Sequence, residues 1–455
     1  MKNPHSRPSL PTAPGPALET KPSAGAGRLR CIDQMRGLVM VLMVLDHALF
    51  YFTDPSVVAT NLSFPLQTTA GLFWTEWITD FCAPVFFLLA GTGAFLQLAR
   101  GATKGQVARY LLIRGALLVL LDFTLMQWLL YFRFDFSVWH DFTNLGPERV
   151  FYFTPLVLYG LGLSMIVLAG LIWFPLYAIA GFSLALILFH NLIGPRGDDS
   201  SIPFLWGLLH QRGNIILSEH LRILTQFPLI PWCGVMALGY VLGALFMRPR
   251  VWRRKVLFAT GAALTLLFPV MRWASPYGDP YRWTPITLSE EQQGESNITS
   301  ATYNVLSFVD CDKYPASLEY LLMTLGPSLI VLGLLDRADG AAGAQSGSRG
   351  WIETLLQPLT LFGRVPLFFY FGQWFFLHLL AVIFALLEQR PVGWLFETID
   401  LLGGGDSFPG WDSRADAGLG GTFLAALVTV LLLYPCCWGF AKLKRRYPRS
   451  ALRYF

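Results

Sequence analysis

The chain contains about ten apolar runs of roughly twenty residues each, and these runs limit its fold more than any other feature. A helix needs about 20 apolar residues to cross a bilayer. Because lipid offers no hydrogen-bond partners to the backbone, such runs are predicted to form transmembrane helices. The predicted spans are Asp33–Phe52, Thr79–Ala99, Tyr110–Tyr131, Phe151–Gly170, Leu171–Ile193, Phe227–Met247, Val256–Trp273, Ser317–Leu335, Leu367–Leu387 and Leu419–Lys442. The shorter segment Trp351–Leu361 predicts an interfacial helix or an eleventh span.

Composition supports an all-α, polytopic transmembrane bundle embedded in a lipid bilayer. Of 455 residues, 54% are hydrophobic and 14% are charged, whereas soluble domains carry about 25% charged residues. Residues 1–28 are rich in Pro, Ser, Ala and Gly and predict a disordered cytoplasmic tail before one transmembrane domain over 29–455. The net charge of +5 predicts no nucleic-acid partner, because the basic residues cluster in short loops.

The distribution of Lys and Arg predicts the orientation of the bundle. With ten spans, the basic segments all fall on one side, which the positive-inside rule makes cytoplasmic. Both termini are then cytoplasmic. The basic segments are 21–30, 100–109, 248–255 and 442–446. The opposite side carries the predicted outer loops, near 132–150, 194–226, 274–316 and 388–418.

The first span carries two ionisable residues, Arg36 and His47, which mark it as a candidate functional element. Eleven helical steps return the second side chain to within roughly 20° of the first, about 16 Å further along the axis. One helix face is therefore predicted to present a fixed cation near the cytoplasm and an imidazole near the outer surface.

His47 is the candidate catalytic base, with Asp46 beside it in the sequence. A neighbouring carboxylate can orient an imidazole or raise its basicity. Adjacent helix positions, however, point about 100° apart, so a more distant carboxylate stays an alternative for this role. The structural alternative for His47 is an anchor at the lipid headgroups.

Four arginines are candidates to bind the phosphates of a cytoplasmic donor, since guanidinium groups form bidentate bonds with phosphate. They are Arg36, Arg109, Arg114 and Arg364. Arg36 could instead pair with Asp33 three residues earlier. Arg109 and Arg114 could simply anchor the third span by the positive-inside rule.

Two further polar residues lie inside predicted spans. Asp122 is predicted to face the bundle interior and to pair with another polar group. His378 is either a second functional histidine or a hydrogen-bonded packing residue. With Arg114 they would line the pathway of the alternative function, a transporter or flippase without covalent chemistry. The six cysteines show no zinc spacing, and no metal site is predicted.

Several stretches resemble known membrane acyltransferases. Arg36 followed by ten residues and His47 is similar to the arginine–histidine signature of the acyltransferase type 3 family. Five stretches resemble the bacterial branch of the heparan-alpha-glucosaminide N-acetyltransferase catalytic-domain family: Ile32–Gly37, Phe81–Gly91, Pro228–Gly239, Lys313–Gly326 and Phe362–Tyr370.

The resemblance implies an O- or N-acetyltransferase of the bacterial inner (cytoplasmic) membrane. It would move an acetyl group from cytoplasmic acetyl-CoA to a glycan or amino-sugar acceptor on the far side. His47 would act as base or transient acyl carrier, with Asp46 beside it, and Arg36 would bind the donor. In the lysosomal enzymes the reactive histidine is expected in the loop after the first span, so His47 follows the type 3 pattern. Direct transfer and an acyl-histidine intermediate both stay open, as does a homodimer.

Overall fold

The computed structural model describes residues 29–53, 69–132, 151–194, 201–218, 221–274, 277–280, 282–290, 292–293, 298–341, 350–396, 416–447 and 450–455. The predicted tail 1–28 lies outside these residues, as do most of the predicted outer loops 132–150 and 388–418. Of these described residues, 77% are helical, which confirms the predicted all-α fold class.

Fifteen α-helices are described, and we number them in chain order. They are α1 Arg30–Phe52, α2 Ala70–Thr79, α3 Cys82–Ala99, α4 Lys104–Leu121, α5 Gln127–Tyr131, α6 Val157–Leu171, α7 Leu176–Phe189, α8 Phe204–Leu209, α9 Leu229–Leu245, α10 Arg250–Ala274, α11 Ser300–Val309, α12 Leu318–Ala341, α13 Gly350–Arg364, α14 Pro366–Leu387 and α15 Gly418–Arg446. A π-helical segment, Asp122–Met126, joins α4 to α5.

Among the described residues, seven helical segments are long and apolar enough to cross a membrane. They are Arg30–Phe52, Ala70–Ala99, Lys104–Tyr131, Arg250–Ala274, Leu318–Asp336, Pro366–Leu387 and Gly418–Arg446. Three shorter apolar helices, α6, α7 and α9, lie where the fourth, fifth and sixth spans are predicted. The chain is therefore an integral membrane protein, and the count of ten spans stays a prediction.

The fourth predicted span begins differently in the structure, because Phe151–Phe153 forms strand β1 rather than helix. Strands β2 (Gly213–Ser218) and β3 (Leu221–Thr225) complete a small sheet of order β1-β3-β2. Strand β1 pairs in parallel with β3, and β2 pairs antiparallel with β3. The helix starts only at Val157, after a proline at position 155 that lacks a backbone N–H. Sequence hydropathy alone did not separate this apolar strand from the helix that follows it.

Helix α1 lies at the centre of the bundle, and two glycines let α13 approach it closely. A Cβ at Gly37 would collide with the carbonyl oxygen of Leu359, and one at Gly363 with that of Asp33. The two contacts run in opposite chain directions, so the helices are antiparallel. Small residues at a helix crossing permit this backbone approach in membrane proteins. The predicted segment Trp351–Leu361 thus lies within α13, packed against the first span.

Hydrogen bonds and ion pairs gather several of the basic helix ends at one end of the bundle. Arg36 donates to the carbonyl oxygen of Gly363 at 3.2 Å, which joins α1 to the end of α13. Arg253 forms a buried pair with Asp336, whose carboxylate also accepts from the Cys31 thiol at 3.8 Å. This clustering is what the orientation prediction requires. Which side of the membrane this end faces stays a prediction.

Candidate active site between two cavities

One face of α1 borders two internal cavities. Arg36, Met40 and Met43 line a cavity of about 250 Å³, which we call the arginine cavity. Met43 and His47 line a second cavity of about 710 Å³, which we call the histidine cavity. These positions are separated by four, three and four residues, the spacing of one helix face. The structure therefore places Arg36 and His47 on the same face, as their spacing indicates.

The two cavities meet at a shared wall. Four residues line both of them: Met43 from α1, Phe86 from α3, Val157 from α6 and Tyr370 from α14. Three of them are apolar, and the fourth, Tyr370, carries a buried phenol. A ligand that reached from one cavity into the other would therefore pass these four side chains.

The arginine cavity is lined by basic side chains from four helices. They are Arg36, Arg114, Arg364 and Lys444. Arg36 and Arg364 lie 3.6 Å and 3.8 Å from the two carboxylate oxygens of Asp33. The pair with Asp33, the structural alternative for Arg36, is therefore present, and Arg36 borders the cavity at the same time. Most other lining residues are apolar.

Arg114 and Lys444 complete this set of cations. The Nη1 of Arg114 donates to the Tyr110 hydroxyl at 2.8 Å, and its buried Nε has no hydrogen-bond partner among the described residues. Lys444 donates to the main-chain oxygen of Phe455 at 2.7 Å. Sequence reasoning missed Lys444, because the run 442–446 was interpreted only as an orientation signal. Arg109 is exposed and is absent from the residues lining either cavity.

His47 lies in an aromatic environment at the wall of the histidine cavity. Its ring is stacked on the indole of Trp374, with the ring centroids 3.9 Å apart and the planes 31° apart. The edge of Tyr370 approaches it, with the centroids 6.0 Å apart. Only 8% of His47 is exposed, which is lower than expected of a headgroup anchor. Sequence reasoning missed Trp374, which lies 327 positions further along the chain.

No carboxylate among the described residues hydrogen-bonds the His47 ring. Asp46 Oδ2 lies 3.9 Å from His47 Nε2, beyond hydrogen-bond distance. Asp46 instead accepts a hydrogen bond from Thr79 at 3.0 Å. Buried His47 Nδ1 likewise has no partner in the described part of the chain. Asp46 therefore acts on His47 through its charge, and stacking on Trp374 fixes the ring.

A lysine from the predicted outer loop 274–316, which we call the outer segment, reaches the same cavity. Lys313 forms an ion pair with Asp80 at 3.0 Å, which ties the segment before α12 to the junction of α2 and α3. Burial alone would lower the pKa of Lys313, but attraction by Tyr314, Asp80 and Asp46 raises it well above its usual value. The cavity wall therefore carries a permanent cation among its carboxylates.

Arg272 holds the outer segment in place. Its guanidinium donates to Glu319 at 2.9 Å and to the carbonyl oxygen of Asp310 at 2.5 Å, and it lies 3.6 Å from Asp279. Asp279, Cys311 and Glu319 place ligand atoms within 4.8 Å of one another, a spacing compatible with a metal ion. Because Arg272 already pairs with both carboxylates, this group fits an ion-pair hub better than a cation site.

Asp122 and His378 lie outside both cavities. Asp122 is fully buried and accepts a hydrogen bond from the Tyr159 backbone N–H at 2.8 Å, at the start of α6. It thus faces the interior and pairs with a polar group, as expected. His378 contacts the Leu129 carbonyl oxygen at 3.0 Å and stacks on Phe132. Its geometry is that of a hydrogen-bonded packing residue.

The fold defines the class of the protein, an integral membrane protein. Its site consists of a basic cavity and a larger cavity of mixed charge, with a buried histidine beside the wall that they share. Residues 28–274 match the family described as heparan-alpha-glucosaminide N-acetyltransferase, catalytic. The match covers more than half of the 455 residues, so the chain belongs to this family, as the sequence resemblance predicted. It is therefore a membrane acetyltransferase in general terms. No curated protein shows a significant match.

Proposed function

We propose that the protein transfers an acetyl group from acetyl-CoA, held in the arginine cavity, to a glycan or amino-sugar acceptor in the histidine cavity. The observation that carries this proposal is the shared wall of the two cavities. A basic site and a site with a histidine base meet there, beside one face of α1. Such an arrangement would bring donor and acceptor together at one wall.

On the donor side, the phosphates of acetyl-CoA would bind the cations of the arginine cavity. Arg114, with its unpaired Nε, and Lys444 supplement Arg36 and Arg364, which Asp33 partly neutralises. Guanidinium and ammonium groups are the usual phosphate ligands. The apolar walls suit the pantetheine arm, and the roughly 16 Å between Arg36 and His47 along α1 matches its extended length. The arginine cavity would then face the cytoplasm of a bacterial cell.

On the acceptor side, the lining of the histidine cavity suits a sugar. Aromatic rings, among them Trp77, Trp283 and Trp374, offer apolar faces for the sugar ring. Carboxylates such as Asp46 and Asp80 offer hydrogen-bond acceptors for hydroxyl or amine groups. A few polar groups in an otherwise aromatic pocket are typical of small-molecule recognition.

His47 is the base in this proposal. It removes the proton from the acceptor amine or hydroxyl as that group attacks the thioester carbonyl. Transfer through an acyl-histidine would instead use the same ring as the nucleophile. Both routes need an uncharged imidazole, and stacking on Trp374 holds the ring at the cavity wall.

The test is acetyl transfer by the purified protein in detergent, with radiolabelled acetyl-CoA and a panel of amino sugars and glycans. We expect His47→Ala to lower kcat by about 10² to 10⁴-fold, the usual contribution of a positioned base. Thermal stabilisation by acetyl-CoA should persist, because His47 lies outside the arginine cavity. Turnover equal to wild type in this variant would rule out His47 as base or acyl carrier.

A transporter or flippase is the second candidate, and one observation favours it. Arg114 lies inside a predicted span and borders an internal cavity. The other two residues of that hypothesis, Asp122 and His378, border neither cavity, which favours the enzyme. Uptake of an unmodified sugar into proteoliposomes, with no acetyl-CoA consumed, would support the transporter.

A further inference from the structure

Besides the His47 ring, four side chains at the wall of the histidine cavity carry a buried hydrogen-bond donor with no partner among the described residues: Thr154, Arg212, Tyr370 and Trp374. Two of these donors, the hydroxyl of Tyr370 and the indole Nε1 of Trp374, belong to rings that contact His47. Both residues are 4% exposed, so water does not easily replace the missing partners. A buried donor without a partner destabilises the fold. Such groups in a native fold point to a ligand or to a catalytic role.

Contact with the His47 ring separates Tyr370 and Trp374 from the other buried donors that lack a partner among the described residues. Trp232 and Gln373 also carry buried donors without partners, but neither borders the two cavities. Tyr370 and Trp374 lie four residues apart on α14, so their side chains share one face. The Trp374 indole lies beside the Tyr370 hydroxyl without reaching hydrogen-bond geometry.

Both donors are also placed around the proposed base. Trp374 stacks on the His47 ring, and the Tyr370 edge approaches the same ring. Tyr370 borders both cavities, so a thioester that extends from the arginine cavity passes its side chain at the shared wall. Catalysis of acyl transfer requires donors at the point where the carbonyl oxygen becomes negatively charged.

We propose that Tyr370 Oη–H and Trp374 Nε1–H form the oxyanion hole of the acetyl-transfer reaction, an inference that rests on the proposed function. The acceptor nitrogen or oxygen bonds to the thioester carbon, and its proton passes to His47. The carbonyl π electrons move to oxygen, and the resulting oxyanion accepts hydrogen bonds from both donors. The oxyanion then re-forms the carbonyl, the carbon–sulfur bond breaks, and the proton on His47 passes to the departing CoA thiolate.

The experiment compares kcat and KM of Tyr370→Phe with wild type. Loss of one oxyanion donor costs about 10² to 10³-fold in kcat. The KM for acetyl-CoA should stay unchanged, because the donor acts only as charge develops on the carbonyl oxygen. Incorporation of 3-fluorotyrosine at position 370 keeps the O–H and should restore kcat relative to Tyr370→Phe. A purely packing role would predict the same kcat for tyrosine, phenylalanine and 3-fluorotyrosine.

Trp374 is tested by replacing the indole N–H with sulfur, as 3-benzothienylalanine. This change keeps the aromatic stack on His47 and removes only the donor. We expect a fall in kcat, with thermal stability maintained. Tyr240→Phe is the matched control: it removes the hydroxyl of an equally buried tyrosine that borders neither cavity, and kcat should not change.

The outcomes separate this inference from the proposed function. If His47→Ala abolishes turnover while Tyr370→Phe and the sulfur analogue retain wild-type kcat, the oxyanion hole is wrong and the enzyme assignment stands. A change confined to the KM for acetyl-CoA would make Tyr370 a binding residue and overturn the inference. If the wild-type protein transfers no acetyl group at all, both fail together.

Discussion

The two cavities differ in size, charge and the elements that build them. The arginine cavity measures about 250 Å³ and is bounded mainly by helices, and four cations are among its lining residues. The histidine cavity measures about 710 Å³ and carries both signs of charge. Part of its wall comes from α11 and from the segments on either side of it, residues 279–286 and 310–314.

This difference matches the tasks of a donor site and an acceptor site. A CoA ester presents the same arm and phosphates to every enzyme that uses it, so a narrow site between rigid helices suffices. An acceptor differs from enzyme to enzyme, and loops on a rigid scaffold can change without loss of the fold. Acceptor specificity should therefore depend on the outer segment, and donor affinity on the helices.

Among changes that act on only one of the two cavities, filling the arginine cavity should have the largest effect on the kinetics. A Cβ at Gly93 would meet no atom within 4 Å, and Gly93 borders this cavity. The side chain of Gly93→Leu would therefore occupy the donor space. We expect kcat/KM for acetyl-CoA to fall about 10²-fold, the scale of a 1 Å displacement of a reacting group. Steady-state kinetics with each substrate varied in turn would measure it.

The matched control for this change is Gly181→Leu. Gly181 also has open space at its Cβ, but it is exposed on α7 and borders neither cavity. Its kinetics should equal those of wild type. If Gly93→Leu instead weakened only the acceptor, the assignment of the two cavities would have to be exchanged.

Removal of a donor-side cation should have an effect of similar or smaller size. A hydrogen bond to a charged group contributes about 1.5–3 kcal/mol, so Arg114→Ala should raise the KM for acetyl-CoA about 10- to 150-fold. The KM for the acceptor should not change. Arg109→Ala is the control, because Arg109 is exposed and borders neither cavity. Equal effects of the two substitutions would indicate a general electrostatic contribution instead of a phosphate site.

The features that sequence reasoning predicted depend on contacts close in the chain. Apolar runs predicted the seven long spanning segments, because a bilayer demands helices of fixed length. Helical periodicity predicted that Arg36 and His47 share a face, since the angle between them depends only on their separation. Among the basic segments, Arg253 pairs with Asp336, which also contacts Cys31 at the start of α1, and the orientation itself stays a prediction.

The features it missed are contacts between distant parts of the chain. Trp374 packs on His47 from a helix more than three hundred residues away, and Lys313 reaches Asp80 from an outer segment. Neither pairing has a local signature. Strand β1 was missed because a short apolar strand and a helix start have the same hydropathy. The four-residue spacing of Tyr370 and Trp374 could have indicated that they share one helix face. Nothing in the sequence indicated that this face lies beside His47.

The smallest expected effect is a pH dependence that belongs to the histidine cavity alone. Asp310 borders this cavity outside the spans, and burial together with repulsion by Asp80 raises its pKa to about 7. In the unfolded chain the same group titrates near 3.9. The folded state therefore holds a proton that the unfolded state releases. The stabilisation from this proton is complete below about pH 4 and is lost as the pH rises to about 7.

Thermal unfolding of the purified protein between pH 5 and pH 8 would measure this loss. Stability should fall by up to about 1.4 kcal/mol per pH unit below pH 7 and level off above it. Asp310→Asn should remove this slope, because the amide has no proton to lose. Glu290→Gln, which neutralises an exposed carboxylate of the same outer segment, should keep it. If stability still falls with pH in Asp310→Asn, another group causes the pH dependence. The two cavities would then not differ in their response to pH.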